Sequence, residues 1–316
     1  MPQLSAGVGV GVRSDLVATV RVPATSANLG PGFDSLGLAL AIHDVVRLRL
    51  APSGFEVTVR GEGDGAIALT EAHLVARAIR AGFDHAGVAQ PGLRLHCHNG
   101  VPHGRGLGSS AAAVVAGLIA ARGCLTDPEL LDDATVLALA TRFEGHPDNA
   151  AAALLGGCTI SWNTSAGVPR AERVEVRADL DPVICLPVGE LSTHTARAML
   201  PATVPHADAA FNAGRAALLV QALSRRPDLL LEATEDRLHQ AQRATAMPET
   251  AELVQRIRAL GGAAVVSGAG PSVLVLGAGE VAVTAVTKAL AGSGQQWTVL
   301  RPGVDTVGSL LATEGE

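Results

Sequence analysis

The apolar positions of this chain change period along its length, and those changes mark its elements. Leu16–Val22 (LVATVRV) alternates over β-favouring residues and stops at Pro23, which predicts a strand. Val45–Leu50 and Phe55–Arg60 alternate on either side of Pro52-Ser53-Gly54 and read as strands of one sheet. Gly61–Gly65 is a polar turn, and the period becomes helical over Glu71–Ala81. Leu93–His98 returns to a strand. Ser109–Arg122 is almost wholly apolar, and a helix that is hydrophobic all round is a buried one. Asp127-Pro128-Glu129 offers an N-cap followed by proline, so a helix is predicted from there to about Arg142, and Gly157–Asn163 reads as a strand.

Around Ser165–Pro169 the composition turns polar and irregular, and this places a domain boundary between residues 1–165 and 166–316. The second part predicts strands at Arg173–Arg177 and Pro182–Val188, then helices over 208–259 with breaks near Pro227 and Pro248. Strands at Gly261–Val266 and Val273–Leu276 flank a glycine turn; Glu280–Gly292 is a helix and Trp297–Leu300 a last strand. Residues 1–14 and the tail beyond Gly308 are expected to fray. The fold class is α+β.

Composition narrows the function. With 48% hydrophobic and 17% charged residues over 316 positions, the chain can bury a large core. A net charge of −6, no basic run and 2% aromatics argue against a nucleic-acid surface. No apolar run reaches the ~20 residues that span a bilayer, and the N-terminus lacks the basic and apolar regions of a signal peptide. A cytoplasmic enzyme is expected. Cys97, Cys124, Cys158 and Cys185 are widely spaced, which suits buried free thiols better than a zinc site.

The chemistry centres on Pro102-His103-Gly104-Arg105-Gly106-Leu107-Gly108-Ser109-Ser110-Ala111-Ala112. Alternating glycines allow backbone angles that a Cβ forbids, and Ser109 or Ser110 can cap the helix that follows. Bare amides at a positive helix end form a site for a polyphosphate. The Walker pattern is excluded, because no lysine follows the glycines and Lys288 is the only lysine of the chain. Arg105 is placed either on a phosphate oxygen or in solvent. In the loop 23–34, Asn28 and Asp34 offer an amide and a carboxylate to a small amine or hydroxyl. Glu144-Gly145-His146-Pro147-Asp148-Asn149 gathers two carboxylates, an imidazole and an amide at an element boundary. Taken alone it reads as a capped turn more readily than as a site. Mg²⁺ needs few carboxylates beside phosphate oxygens, a role that Glu144 fits with the hydroxyl of Ser110 or Ser109. Thr193 and Arg197 share one helix face, and arginine grips carboxylates in a fork.

GLGSSAA, PATSANLGPGFDSLG, EGHPDN, STHTARAMLP and the Ser267–Ser272 loop together resemble the motifs of the GHMP kinases, and within them the homoserine kinase branch, over nearly the full chain. The resemblance implies an N-terminal domain like ribosomal protein S5 domain 2, a ferredoxin-like C-terminal domain, and an active site between them. It implies ATP and Mg²⁺ as cofactors and phosphorylation of L-homoserine on the route to threonine. Runner-up readings are a kinase for another small alcohol of the mevalonate type, and a catalytically silent ligand-binding regulator. No nucleic-acid or membrane partner is implied, and a homodimer is compatible with it. Residue by residue, it gives Glu144 and Ser110 to Mg²⁺, His146 and Asn28 to the substrate, Asp34 to its ammonium, and Thr193 and Arg197 to its α-carboxylate end. A second substrate arginine falls on Arg243 or Arg237, with Arg243 the first choice. Gly268 and Gly270 let the third-motif loop approach the phosphate site. Asn149 stands where other GHMP kinases place a catalytic aspartate, so positioning must carry the reaction, and Asp148 is given a structural role. His73 replaces the family asparagine near the adenine, and it is either a purine contact or a plain surface residue.

Overall fold

One 16-residue strand organises the first half of the fold. In a computed structural model that describes residues 11–291 and 294–315, β2 (Leu36–Ala51) runs antiparallel to β1 (Leu16–Ala27). The other edge of β2 is divided. Residues 45–51 pair with β4 (Gly92–Asn99), and residues 36–38 pair with β5 (Cys158–Asn163). β3 (Phe55–Gly61) lies parallel beyond β4, so it does not form a hairpin with β2. β6 (Pro169–Val174) lies beyond β5, and β11 (Leu310–Gly315) covers the outer edge of β1.

Two sequence expectations change here, and the first sheet extends past residue 165. β1 does not stop at Pro23, because the pairing register shifts between Pro23 and Ala24 and a proline is tolerated at such an irregularity. The tail beyond Gly308 does not fray but becomes β11. Since β6 and β11 both belong to the first sheet, that sheet crosses the boundary expected at 165/166. Of the N-terminal stretch expected to fray, residues 1–10 lie outside the described residues. Arg13 N–H donates to the Cys124 carbonyl at 2.7 Å, so residues 11–13 are held to the body.

Helices α1 (Leu74–Ala86), α2 (Ser109–Cys124), α3 (Asp133–Glu144) and α4 (Asp148–Leu155) share one core with this sheet. α2 is buried on nearly every side, as its composition requires. The helix expected from Asp127 to Arg142 is two pieces. Asp127 caps a 3-10 turn at Pro128–Leu131, and Asp132 then caps α3, accepting from Thr135 N–H at 2.8 Å.

The second sheet holds β7 (Val183–Pro187), β8 (Ala263–Val266), β9 (Val273–Leu276) and β10 (Trp297–Leu300). All are antiparallel, in the order β10-β7-β9-β8. Helices α5 (Thr193–Ala198), α6 (His206–Ser224), α7 (Leu230–Ala233), α8 (Gln240–Arg243) and α9 (Pro248–Ala259) lie between β7 and β8. α10 (Glu280–Leu290) joins β9 to β10, which completes a ferredoxin-like β-α-β-β-α-β unit. One face of this sheet packs on α9 and α10. The other shares a core with Leu36, Leu38 and Leu40 of β2 and with α6. Apolar burial thus welds the two units, and the cleft described next takes side chains from both.

Candidate active site

Strand β4 delivers the chain to the glycine loop, and α2 leaves it. Gly104, Gly106 and Gly108 all have positive φ, at 64°, 73° and 67°. Gly108 itself is the N-cap, so Ser109 and Ser110 are the first helical residues rather than caps. The first bond of this helix runs from Ala112 N–H to the Gly108 carbonyl, and the amides of Ser109, Ser110 and Ala111 precede it as the free donors of a helix start.

The Ser267–Ser272 loop packs against this turn. Ser267 Oγ donates to the Gly106 carbonyl at 2.8 Å, and a Cβ on Gly106 would run into the Ser267 carbonyl oxygen. Gly268 and Gly270, with φ of 57° and 87°, allow the approach from the other side. Gly106→Ala therefore adds a backbone collision to a positive-φ strain of about 1–3 kcal/mol. Gly54→Ala, at a φ of 88° in open space, suffers the strain alone. Gly106→Ala is expected to raise the KM for ATP roughly tenfold or more and to lower the Tm; Gly54→Ala changes only the Tm.

Two cavities meet at Ser109 and Ser110. The first, of about 220 Å³, runs from the glycine loop to α5 and α8. The second, of about 290 Å³, lies between the loop and the start of α1. Gly104, Gly106, Leu107 and Gly108 line the first, and His103 and His73 line the second. Pro102, Ala111 and Ala112 line neither. Arg105 also turns away, because its guanidinium donates to the Pro187 carbonyl of β7. His73 is not a surface residue. It is 6% exposed, burial holds its pKa below the usual imidazole range, and its Nδ1 has no hydrogen-bond partner among the described residues.

The Glu144–Asn149 turn joins α3 to α4, with Gly145 at φ 83° closing α3. Ser110 Oγ donates to Glu144 Oε1 at 2.6 Å. Burial raises the Glu144 pKa, opposed by the Ser110 bond and the His146 charge. No cluster of three or more His, Cys, Asp or Glu that could hold a metal occurs among the described residues. One carboxylate with an adjacent hydroxyl, beside the start of α2, is a donor set that fits Mg²⁺ with its preference for substrate oxygens and water. Asp148, 1% exposed, collects three donors on Oδ1: His146 Nδ1 at 2.6 Å, the Asn149 amide N–H at 2.7 Å and Asn149 Nδ2 at 3.4 Å. Burial works against a charged His146, but the bond and charge of Asp148 prevail and raise its pKa. Thr25 Oγ1 donates to Asn149 Oδ1 at 2.9 Å, which fixes the orientation of the amide.

At the far wall, Arg197 grips Asp34 through both nitrogens, at 2.6 and 3.0 Å. Asp34, at φ 54°, sits in a turn where Asn28 and Leu29 also have positive φ. Asn28 lines the cleft, but its amide is already used. Its Oδ1 accepts from Asp34 N–H, and its Nδ2 donates to the Gly268 carbonyl. Thr193 lines the same wall, and Ser192 caps α5. Arg243 is 2% exposed and lines the cleft. Arg237 does not; it stacks 3.8 Å over Phe211 and pairs with Asp208. Phe33 escaped sequence reading: the guanidiniums of Arg197 and Arg243 lie 5.6 and 5.5 Å from its ring. Asp44 also escaped it. Asp44 lines the second cavity while accepting from the Gly100 and Val101 amides. Nothing local marks either residue, because the partners of Asp44 follow β4 and those of Phe33 come from α5 and α8.

Residues 73–157 match the family model described as GHMP kinases N terminal domain, and residues 210–295 match that described as GHMP kinases C terminal. A homoserine kinase of Streptomyces coelicolor is 54% identical over 293 residues, covering 92% of this chain and 93% of the relative. One from Clavibacter michiganensis is 51% identical over 300 residues, covering 94% of each. The crystal structure of homoserine kinase from Cytophaga hutchinsonii superposes with a TM-score of 0.80 at 27% identity, covering 94% of this chain and 98% of that one. A mevalonate diphosphate decarboxylase from Enterococcus faecalis reaches 0.63 at 17% identity, covering 94% and 99%, a likeness of fold alone. With relatives this similar along nearly its whole length, the chain belongs to the homoserine kinases of the GHMP kinase family.

Proposed function

We propose that this chain transfers the γ-phosphoryl group of ATP to the side-chain hydroxyl of L-homoserine, giving ADP and O-phospho-L-homoserine for threonine synthesis. The observation that carries the reading is the Asp34–Arg197 pair beside the glycine loop. A carboxylate and a guanidinium that satisfy each other are the complement of an α-amino acid, whose ammonium and carboxylate can exchange into the pair one for one.

The purine enters the second cavity, where the unpartnered Nδ1 of neutral His73 meets its edge. The triphosphate lies along residues 104–110, on the amides at the start of α2. Glu144 and the Ser110 hydroxyl would hold Mg²⁺, which when bound neutralises phosphate charge. Arg197 and Arg243 take the substrate carboxylate and Asp34 its ammonium. This directs the side-chain hydroxyl towards Asn149 and His146. Asp148 orients both of those groups through its Oδ1, which is its structural role. The hydroxyl proton passes to an oxygen of the transferring phosphoryl group, as a loose transition state permits. The rate then comes from positioning and from charge placed in advance. The four thiols are buried and free, pushed up to about 12, which suits the reducing cytoplasm where ATP and free amino acids are found.

A panel of small alcohols assayed with MgATP tests the reading. L-Homoserine is expected to stimulate ADP release at least ~10³-fold more efficiently than mevalonate, because the charged clamp is left unpaired by an alcohol that has no amine. Preference for mevalonate, or ADP release indifferent to any alcohol, would sink it.

A further inference from the structure

The buried ring of His239 has no part in the assignments above, yet both of its nitrogens are committed. It is 0% exposed and stands at the start of α8. Its Nε2 lies 2.8 Å from the Gly30 carbonyl oxygen, and its Nδ1 lies 3.1 Å from Nη1 of Arg243. A carbonyl can only accept and a guanidinium can only donate. These partners therefore leave one tautomer, with the proton on Nε2 and a lone pair on Nδ1. Burial holds the ring pKa low and the Arg243 charge adds to that, against the pull of Asp236. Asp236 also fixes the backbone, accepting from the amides of Leu238, His239 and Gln240. Gly30 belongs to the turn that leads to Phe33 and Asp34, and the His239 ring packs on Phe33 at a tilt of 32°, with centroids 5.2 Å apart.

We infer that His239 is a positioning residue for substrate binding: its Nδ1 lone pair holds Nη1 of Arg243 so that the rest of the guanidinium is presented to the carboxylate of the substrate, while its Nε2–H ties Arg243 to the turn that carries Asp34. The other bonds of Arg243 run to backbone carbonyls, from Nε to Ala196 at 3.2 Å and from Nη1 to Gly268 at 3.4 Å. His239 is thus the one side chain that hydrogen-bonds this arginine among the described residues, beside the Phe33 ring that its guanidinium faces. The inference rests on the reading of Arg243 as part of the substrate clamp.

Two variants separate the two ring nitrogens. In His239→Gln the carboxamide reaches the Nε2 position and keeps the Gly30 bond, but nothing faces Arg243. In His239→Asn it sits at the Nδ1 position and keeps an acceptor for Arg243. His239→Gln is expected to raise the KM for homoserine roughly tenfold or more, the effect of losing a hydrogen bond to a charged group, with kcat and the KM for ATP within about threefold. His239→Asn, which keeps the acceptor for Arg243 and loses only the neutral bond to Gly30, is expected to raise the KM for homoserine severalfold less than His239→Gln does. Equal losses in both variants, or none in His239→Gln, would overturn the inference. Arg243→Ala is measured beside them. If it leaves the KM for homoserine unchanged, the clamp reading itself fails; if it raises that KM while His239→Gln does not, only the role of His239 fails. Long-range ¹⁵N–¹H NMR of histidine-labelled wild-type protein checks the tautomer without any variant. An Nε2–H ring is expected at His239, and an Nδ1–H ring would also overturn the inference.

Discussion

Glu144→Gln lowers kcat by roughly 10²–10³-fold, the scale on which removing one electrostatic stabiliser of a transition state is felt. Gln keeps the shape and an acceptor for Ser110 Oγ, so the variant removes only charge. The same change does not weaken the ligand-free fold. Burial raises the pKa of Glu144, with a smaller push from the Asp148 charge, while Ser110 and His146 oppose it. A carboxyl whose folded pKa lies above its unfolded one, near 4.3, contributes its stability in full below that pH. The contribution is lost as the pH rises through the folded value. At neutral pH the ionised group is therefore a cost to the empty protein, and a bound cation reverses it. Melting curves with and without MgATP check this. Glu144→Gln should melt no lower than wild type when empty and lose the stabilisation that MgATP confers. A variant with kcat within tenfold of wild type, still stabilised by MgATP, would remove Glu144 from the site.

The parts of this site that lie close in sequence were legible in it. The glycine loop, the Glu144–Asn149 turn and the Thr193–Arg197 helix are each short strings whose chemistry is complete within a few residues, and all three strings contribute residues to the first cavity. Orientation was not legible. Arg105 is one residue from two glycines that line the cleft, yet its guanidinium is drawn to the end of β7 by a carbonyl 82 positions away. Asn28 looks like a free amide, yet it braces Asp34 against a loop 240 positions on. Arg237 and Arg243 are equal as residues. Six residues are about 1.7 helical turns, so one helix face could not hold both, and only the fold sends one to Phe211 and the other into the cleft. That the first sheet takes strands from beyond residue 165 was not legible for a related reason. Strand pairing is decided by partners, and β11 is exposed at most positions, so its own pattern reads as a tail.

Asp34 and Arg197 should separate the two ends of the substrate. Because both side chains are partly exposed, their mutual pair contributes no more than about 1 kcal/mol to the fold. Removing either should leave the Tm close to wild type. Binding is different, since each lost charged hydrogen bond costs about 1.5–3 kcal/mol. Arg197→Ala is expected to raise the KM for homoserine by roughly 10- to 100-fold, with the KM for ATP little changed. Asp34→Ala should raise it comparably. The two variants part on an analogue without the amine, 4-hydroxybutyrate. Wild type should already use that alcohol poorly, and Asp34→Ala should make it no worse, because the ammonium that Asp34 would hold is absent. Arg197→Ala should weaken it further, because the carboxylate remains. Exchanging the charges, Asp34→Arg with Arg197→Asp, can restore an ion pair but presents each end of the amino acid with its own sign of charge, so folding is preserved and homoserine binding is not. If Asp34→Ala left the homoserine KM at its wild-type value, or weakened the amine-free alcohol as much as Arg197→Ala does, the clamp would not read the α-amino group. Selection for an amino acid would then have to come from elsewhere in the cleft.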